Sequence, residues 1–195
     1  SMTEGLVFFD LQGQISYMSP PALAVHGFQD LAEAQQPAKG YEPVFETLDL
    51  QGRPVPPEEW PIARVLRGER FVNQELEVRR RDTGHSCFAS YSGTLVRDRE
   101  GRPIMGLHTT RDITLRVEAE RALEAERARL AAIITHAPEG IVVADAESRV
   151  IFTNPAADRL YNRPVPYDQP YESHAELQLV YPDGTAYDPR DLPLT

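Results

Sequence analysis

The sequence lacks the features that would place it in several common classes of protein. It contains one cysteine, Cys87, so no disulfide can form within the chain, and we expect a reducing, cytoplasmic location. No apolar run approaches the roughly 20 residues that cross a bilayer, and residues 1–9 lack the basic region and cleavage site of a signal peptide. We therefore expect no membrane contact by this chain.

Positive charge is also scarce. Thirty Asp and Glu residues face twenty Lys and Arg residues, which gives a net charge of -10. Such a surface repels nucleic acid phosphates at long range, so nucleic acid is not an expected partner. The chain is nevertheless 41% hydrophobic over 195 residues, which is enough to bury a core.

Motifs of catalysis are missing as well. The sequence has no Gly-rich phosphate loop, no kinase histidine motif, no nucleophile elbow and no signature of a cyclic-dinucleotide enzyme. Its five His and single Cys show no paired spacing of the kind that binds metal, so we predict no metal site. We expect the chain itself to be non-catalytic.

An internal repeat is present instead. Residues 5–22 and 140–157 match in character at an offset of 135 residues: Gly, an apolar run ending in Asp, a turn, a short β run and a helix start. Ser19 and Asn154 are N-cap residue types, and a proline that fits the first helical position follows each.

A second pair of matching segments follows in the same order. One starts at Leu48 and the other at Leu179, at an offset of 131 to 132 residues. Two ordered blocks at a nearly constant offset indicate a duplicated unit of about 130 residues, connector included. The second copy stops early, before the strands that complete the first.

Downstream of the first helical part, residues 73–80, 85–96 and 103–111 read as three strands joined by turns that contain Asp and Gly. With the opening strand pair they predict an α+β domain, a five-stranded antiparallel sheet with helices on one face. Residues 113–136 contain no Gly or Pro and are rich in Ala, Leu, Glu and Arg. They predict one continuous helix about 36 Å long.

Apolar side chains at Ala119, Leu123, Leu130 and Ile133 fall on alternating three- and four-residue steps along this helix, with Glu126 filling the one gap in the series. One interpretation is an amphipathic helix that lies on its own domain. The other is a connector that forms a parallel dimer. We favour the dimeric connector, because the remaining positions carry charges that suit a solvated surface.

Several segments, in their order along the chain, resemble the PAS family, in particular the tandem PAS domains upstream of bacterial sensor histidine kinases and cyclic-dinucleotide enzymes. They are the openings at 5–22 and 140–157, the segment 52–69 and the helix end at 136–140. A further segment is similar to the junction between the last strand of a PAS domain and its signalling helix, and consists of Arg111, Asp112, Ile113 and Thr114.

The resemblance implies three parts: a PAS domain without its N-terminal helix at 1–112, a connector helix at 113–137, and the N-terminal half of a second PAS domain at 138–195. It implies a signal sensed between sheet and helices and relayed by the exit helix, with Asp112 tying the last strand to that helix. It also implies a ligand pocket lined by side chains that combine a ring with a polar tip, namely Tyr17, His26, Trp60, Tyr91 and His108.

The cofactor is not identified by the sequence. Photoreceptor relatives carry a reactive Cys on a short helix, whereas Cys87 lies in a predicted strand, so a flavin adduct is disfavoured and a small buried side chain is expected. Haem is disfavoured because residues 57–67 contain no axial His. His26 and His108 stay open as ligands on other elements.

We therefore expect the sensory module of a larger signalling protein, most often a histidine kinase. The alternatives are a dimerisation or scaffolding module that binds no small molecule and the sensor part of a cyclic-dinucleotide enzyme. Because the second copy has no last strand, residues 141–144 should have an open edge. We expect a homodimer formed by the connector helix and by residues 138–195.

Overall fold

The computed structural model describes residues 4–35, 40–147, 149–161 and 183–185. Two compact units divide the chain, at residues 1–120 and 121–195. The described strands of the first unit are β1 (Glu4–Phe9), β2 (Ile15–Met18), β3 (Phe45–Leu48), β4 (Phe71–Arg80), β5 (Ser86–Arg97) and β6 (Pro103–Asp112). Its helices are α1 (Pro20–His26), α2 (Leu31–Ala34), α3 (Pro61–Leu66) and the start of α4 (Thr114–His136), with a 3-10 helix at Pro57–Glu59.

The strands of the first unit form one antiparallel sheet in the order β2-β1-β6-β5-β4-β3. The α+β fold class predicted from the sequence is confirmed. The predicted number of five strands needs a correction, because residues 45–48 add a sixth strand that pairs with residues 77–80 of β4. Strands β4, β5 and β6 agree with their predicted ranges to within two residues.

The core lies on one face of this sheet, under α1 and α3. Side chains alternate along β1, so that Val7 and Phe9 are fully buried there while Phe8 lies on the other face. Gly106 of β6 lies directly beneath the Phe9 ring, where a Cβ atom would approach a ring carbon to 2.1 Å. Helix α1 begins after Ser19 and ends at Gly27, whose φ of 67° is readily adopted only by glycine.

The long helix α4 is continuous from Thr114 to His136, which confirms the predicted helix to within one residue. Val117 is buried on the first unit together with Phe88 and Ile113. Beyond it the side chains of α4 are largely exposed. Within the described residues, no helix has both the length and the apolar character that crossing a bilayer requires.

The described part of the second unit contains the end of α4, the hairpin β7 (Val142–Ala144) with β8 (Val150–Thr153), and α5 (Pro155–Leu160). This is the order of β1, β2 and α1, as the repeat predicts. Most of the second repeated block, from Leu179 onward, lies outside the described residues. Gly184, which is described, has a φ of 83°, close to the 79° of its counterpart Gly52.

Candidate functional site

A cavity of about 300 Å³ lies between the sheet and the helical side of the first unit. Its floor is formed by side chains of β4, β5 and β6 and by the end of α1. The opening of the cavity lies at the lining residues that are exposed, namely Gln12, Gln14, Gly40 and Glu42. The remaining wall is mostly apolar or aromatic and includes Phe28, Tyr41, Phe45, Trp60, Ile62 and Leu76.

Three polar rings meet at the floor of this cavity. His26 comes from the last turn of α1, Tyr91 from β5 and His108 from β6. The ring centroids are 5.9 Å apart for His26 and Tyr91, 5.6 Å for Tyr91 and His108, and 6.3 Å for the two histidines. In the sheet His108 pairs with Gly93 of β5 on one side and with Val7 of β1 on the other.

Hydrogen bonds fix the tautomer of His26. Its Nδ1 lies 2.8 Å from the carbonyl oxygen of Ala22, which can only accept, so Nδ1 carries the proton. In the neutral ring Nε2 is then an acceptor, and the Tyr91 hydroxyl donates to it over 3.1 Å. Both ring nitrogens of His26 are therefore occupied within the protein.

His108 differs from His26 in this respect. Its side chain is 2% exposed, yet Nδ1 has no hydrogen-bond partner among the described residues. A buried polar atom without a partner costs about 1–3 kcal/mol in folding free energy. His108 also lines the cavity, so a bound molecule could supply the missing partner.

The polar rings are uncharged at neutral pH. Burial lowers the pKa of His26 to about 4, against a smaller opposing effect of the Ala22 carbonyl. Burial, together with the neighbouring His26, lowers the pKa of His108 to about 3. Burial also raises the pKa of Tyr91 well above its usual value, so the phenol stays protonated.

Four of the five residues predicted from the sequence as pocket residues line this cavity, namely His26, Trp60, Tyr91 and His108. Trp60 is half-buried between the 3-10 helix and α3, and its indole N–H donates to the Val55 carbonyl over 2.9 Å. The placement of Tyr17 needs a correction. Its side chain is 46% exposed and lies against Phe8 on the opposite face of the sheet.

The sequence reasoning missed the aromatic wall formed by Phe28, Tyr41 and Phe45. Phe28 and Phe45 meet edge to face with centroids 5.6 Å apart. The Tyr41 hydroxyl donates to the Ala34 carbonyl over 2.8 Å, which ties the chain before β3 to α2. The two aromatic residues at positions 41 and 45 were the sequence signal that could have predicted this part of the wall.

The junction between β6 and α4 is closely tied to β5. The Ile113 N–H donates to the Phe88 carbonyl over 2.9 Å, and the Phe88 N–H donates to the Thr114 hydroxyl over 3.1 Å. The Thr114 N–H donates to Asp112 Oδ1 over 2.8 Å. Although burial opposes it, this bond helps hold the pKa of Asp112 below its usual value. Arg111 is exposed.

Cys87 is buried beside this junction, with its thiol 3.5 Å from the Thr114 hydroxyl. Burial raises its pKa to about 11, so the thiolate that would be needed for a nucleophilic or metal-binding role does not form at neutral pH. Cys87 is a packing residue, as the sequence indicates. The described residues hold no group of three or more His, Cys, Asp or Glu side chains that could bind a metal ion.

The predicted dimer seam of α4 is exposed in the single chain. Leu123, Leu130 and Ile133 are 54%, 49% and 57% exposed, and Ala119 is exposed as well. Within the seam Arg129 lies 3.8 Å from Glu126, and before it Arg116 contacts Glu120 and Glu75.

The first unit is an antiparallel sheet that has a cavity beneath its helices and leads directly into the long helix α4. A family model described as "PAS fold" matches residues 1–118, and one described as "PAS domain" matches residues 128–188. The chain belongs to the PAS family, and it contains a tandem pair of matches.

Solved structures with a similar fold come from varied proteins. A light-oxygen-voltage domain studied with a flavin analogue is 21% identical, with 65% of this chain and 88% of that chain covered and a TM-score of 0.43. A sensory box histidine kinase/response regulator from Burkholderia thailandensis is 22% identical, with 67% and 92% covered and a TM-score of 0.41.

The PAS domain of nitrogen regulation protein NR(II) from Vibrio parahaemolyticus is 16% identical, with 58% of this chain and 92% of that chain covered and a TM-score of 0.40. No curated protein matches the chain significantly.

Proposed function

We propose that the chain is the regulatory part of a cytoplasmic signal-transduction protein, in which a small molecule bound in the cavity changes the geometry at the start of α4. One observation carries this proposal: the cavity and the junction share the same two strands. On β5, Tyr91 lines the cavity three residues after Phe88, which holds the junction. On β6, His108 lines the cavity four residues before Asp112.

The relay follows from close packing. A ligand that bonds to His108 or displaces Tyr91 from His26 shifts β5 and β6 relative to α1. Because the Phe88 backbone bonds to both Ile113 and Thr114, a shift of β5 moves the first turn of α4. Packed interiors respond by small displacements of whole elements, since they have few voids to absorb a change.

We propose that the chain has three parts: a PAS domain at 1–112, a connector helix at 113–137, and the N-terminal half of a second PAS domain at 138–195. The resemblance of residues 111–114 to a signalling junction supports a sensor histidine kinase as the parent protein, with a cyclic-dinucleotide enzyme as the alternative. The sequence of the full-length open reading frame decides between the two.

A second candidate function is dimerisation without a ligand. The exposed residues Leu123, Leu130 and Ile133 favour it, because apolar side chains in heptad-like spacing gain free energy when a second helix covers them. We propose a homodimer through this seam, and through residues 138–195, in either case. The two candidates differ in whether the cavity is occupied when the domain signals.

The test begins with the purified chain. Denaturing mass spectrometry and an absorbance spectrum report a co-purified small molecule, and Trp60, the single tryptophan, reports its removal by a change in fluorescence. Hydrogen exchange of residues 86–92 and 113–118 is then compared between loaded and stripped protein. We expect stripping to lower the protection of both segments. Equal protection in the two states would contradict the relay.

Thr114→Val separates binding from relay. It removes the hydroxyl that accepts the Phe88 N–H, so we expect ligand to change Trp60 fluorescence as before while the exchange of residues 113–118 responds less. Thr109→Val is the matched control. It makes the same chemical change in β6, on the face of the strand opposite to His108. A Thr114→Val protein with an unchanged exchange response would show that this contact does not transmit the signal.

A further inference from the structure

We infer that the cavity selects an uncharged, flat, apolar molecule of about two fused rings, with one hydrogen-bonding group placed against Nδ1 of His108. This inference rests on the proposed function, because it names the class of ligand that the same cavity would bind. It is carried by the charge of the lining, by the shape of the wall and by the one buried polar atom among the described lining residues that has no hydrogen-bond partner.

Apart from one exposed carboxylate at the opening, the described lining residues carry no charge that could pair with an ion. Among the described residues that line the cavity, none is Lys or Arg, and the one carboxylate, Glu42, is exposed at the opening. His26 and His108 are neutral at physiological pH, because burial lowers their pKa values to about 4 and about 3. An anion or a cation at the floor would therefore be buried without a partner, which is strongly unfavourable.

The wall favours rings. Aromatic side chains surround the floor, and His26 lies within 6.3 Å, centroid to centroid, of Phe28, Phe45 and Tyr91. Aromatic groups prefer offset or edge-to-face contact with other rings, so a flat ring system gains more here than a flexible chain of equal area. A cavity near 150 Å³ is known to hold benzene, and this one has about 300 Å³, enough for two fused rings.

One polar atom at the floor of the cavity lacks a hydrogen-bond partner. The nitrogens of His26 are both occupied, the Tyr91 hydroxyl donates to His26, and the Trp60 N–H donates to Val55. His108 Nδ1 is left without a partner. A neutral imidazole nitrogen can donate or accept, so a hydroxyl on the ligand satisfies either tautomer.

Three probes of one size test the inference: 2-naphthol, which is neutral and has a hydroxyl; naphthalene, which lacks it; and 2-naphthoate, which is an anion. Their dissociation constants for the stripped full chain are measured by equilibrium dialysis. We expect 2-naphthol to bind about tenfold more tightly than naphthalene, the value of one net hydrogen bond. We expect 2-naphthoate to bind at least tenfold more weakly than 2-naphthol.

His108→Phe should reduce the affinity for 2-naphthol to that for naphthalene and leave naphthalene within about twofold of its affinity for the wild-type chain. His108→Asn, which restores a hydrogen-bonding group, should recover part of the preference for 2-naphthol. Tyr17→Phe is the matched control on the outer face of the sheet and should change no affinity. Trp60 fluorescence checks that each variant is folded.

The comparison of the three probes on the wild-type chain tests the inference even if a variant does not fold. Equal binding of 2-naphthol and naphthalene, tighter binding of 2-naphthoate, or binding of none of the three overturns the inferred ligand class. A charged molecule that co-purifies with the chain and changes the exchange of residues 113–118 would also overturn it while leaving the proposed sensory function intact. The proposed sensory function itself fails only if the hydrogen exchange of residues 113–118 is the same in the loaded and the stripped protein.

Discussion

The two copies of the opening motif, β1-β2-α1 and β7-β8-α5, share a set of hydrogen bonds but have a different polar residue before the helix, Ser19 in the first and Asn154 in the second. In the first copy the Leu6 N–H donates to Ser19 Oγ over 2.8 Å, and in the second the Ile141 N–H donates to Asn154 Oδ1 over the same distance. The backbone bond from Ser19 to Leu6 also has its counterpart between Asn154 and Ile141. A single polar side chain thus ties each first strand to the helix start.

The turns between the paired strands are equivalent as well. Asp10 Oδ1 accepts the N–H groups of Gln12 and Gln14, each over 2.9 Å. In the second copy Asp145 Oδ1 accepts from the residues two and four positions later, at 3.0 and 2.8 Å. The aspartate at the end of each apolar run is therefore a turn residue, and this explains its place in the repeat.

The difference lies in what Asn154 has and Ser19 lacks. The Asn154 amide donates to the carbonyls of Ile134 and Glu139 at 3.0 and 2.9 Å, and so bonds to the last turn of α4. A serine hydroxyl cannot make these bonds in addition to its own. One side chain therefore turns a shared strand-helix junction into an anchor for the helix that precedes it.

Acid should separate the two units most strongly. Below pH 6.5 the unfolded chain takes up protons at His26 and His108, while the folded domain does not until pH falls to about 4 and about 3. The stability that these histidines contribute is present above about pH 7 and is lost as pH falls through this window. We expect a loss of about 4 kcal/mol in the free energy of unfolding between pH 7 and 5.

Urea denaturation followed by Trp60 fluorescence at the two pH values measures this loss. His26 is faced by His108, Tyr91 and His85, so the two buried histidines titrate against one another. His108→Phe should halve the pH dependence. The described part of the second unit contains no buried histidine. A free energy of unfolding that does not change between pH 7 and 5 would contradict the burial of His26 and His108 in their neutral form.

Asn154→Ala tests the anchor itself. It removes the partners of four backbone groups: the carbonyl of Ile134 in the last turn of α4, the carbonyl of Glu139 after it, and the N–H groups of Ile141 and Ala157 in the second copy. We expect the free energy of local opening around residues 134–157 to fall by about 3 kcal/mol, measured by hydrogen exchange. Ser19→Ala is the matched change in the first copy and should cost about 1 kcal/mol, since one bond is lost. Equal effects would remove the distinction between the copies.

The glycines that open each copy give the smallest expected contrast. A Cβ on Gly5 would lie 2.6 Å from the backbone nitrogen of Ala22, whereas one on Gly140 would lie 3.1 Å from the Cα of Ala157. We expect Gly5→Ala to destabilise its copy by about 2 kcal/mol and Gly140→Ala by about 0.5 kcal/mol. Hydrogen exchange of the strand and helix in each copy measures both. The reverse order would show that the second copy is packed more tightly than its geometry indicates.

Much of this arrangement could be predicted from the sequence, because its signals are local. The repeat, the turns with Asp and Gly, and the breaker-free composition of α4 each act over a few neighbouring residues. Strand β3 was missed because it is only four residues long and becomes a strand by pairing with residues 77–80 of β4, which lie far along the chain. The unpaired nitrogen of His108 depends in the same way on where three separate chain segments meet.

Tyr17 was misplaced for a related reason. Pairing in the β1–β2 hairpin matches Phe8 with Tyr17 and Phe9 with Ile15, so Ser16 is an extra residue. This bulge changes the face on which later side chains lie, and Ile15 and Met18 point inward although they are three positions apart. Alternation along the sequence cannot show a bulge, since it follows from the pairing.

The sixth strand has a consequence for how copies of the first unit can associate. The sheet ends on β2 and β3, two edges of four residues each, and its longest strands are interior. The part of β4 that β3 leaves uncovered contains an irregular pairing next to Asn73, whose φ is 56°. Short and irregular edges are poor templates for strand addition, so this sheet resists growth into a continuous intermolecular sheet. Self-association of the first unit is thereby directed away from backbone pairing and toward side-chain surfaces.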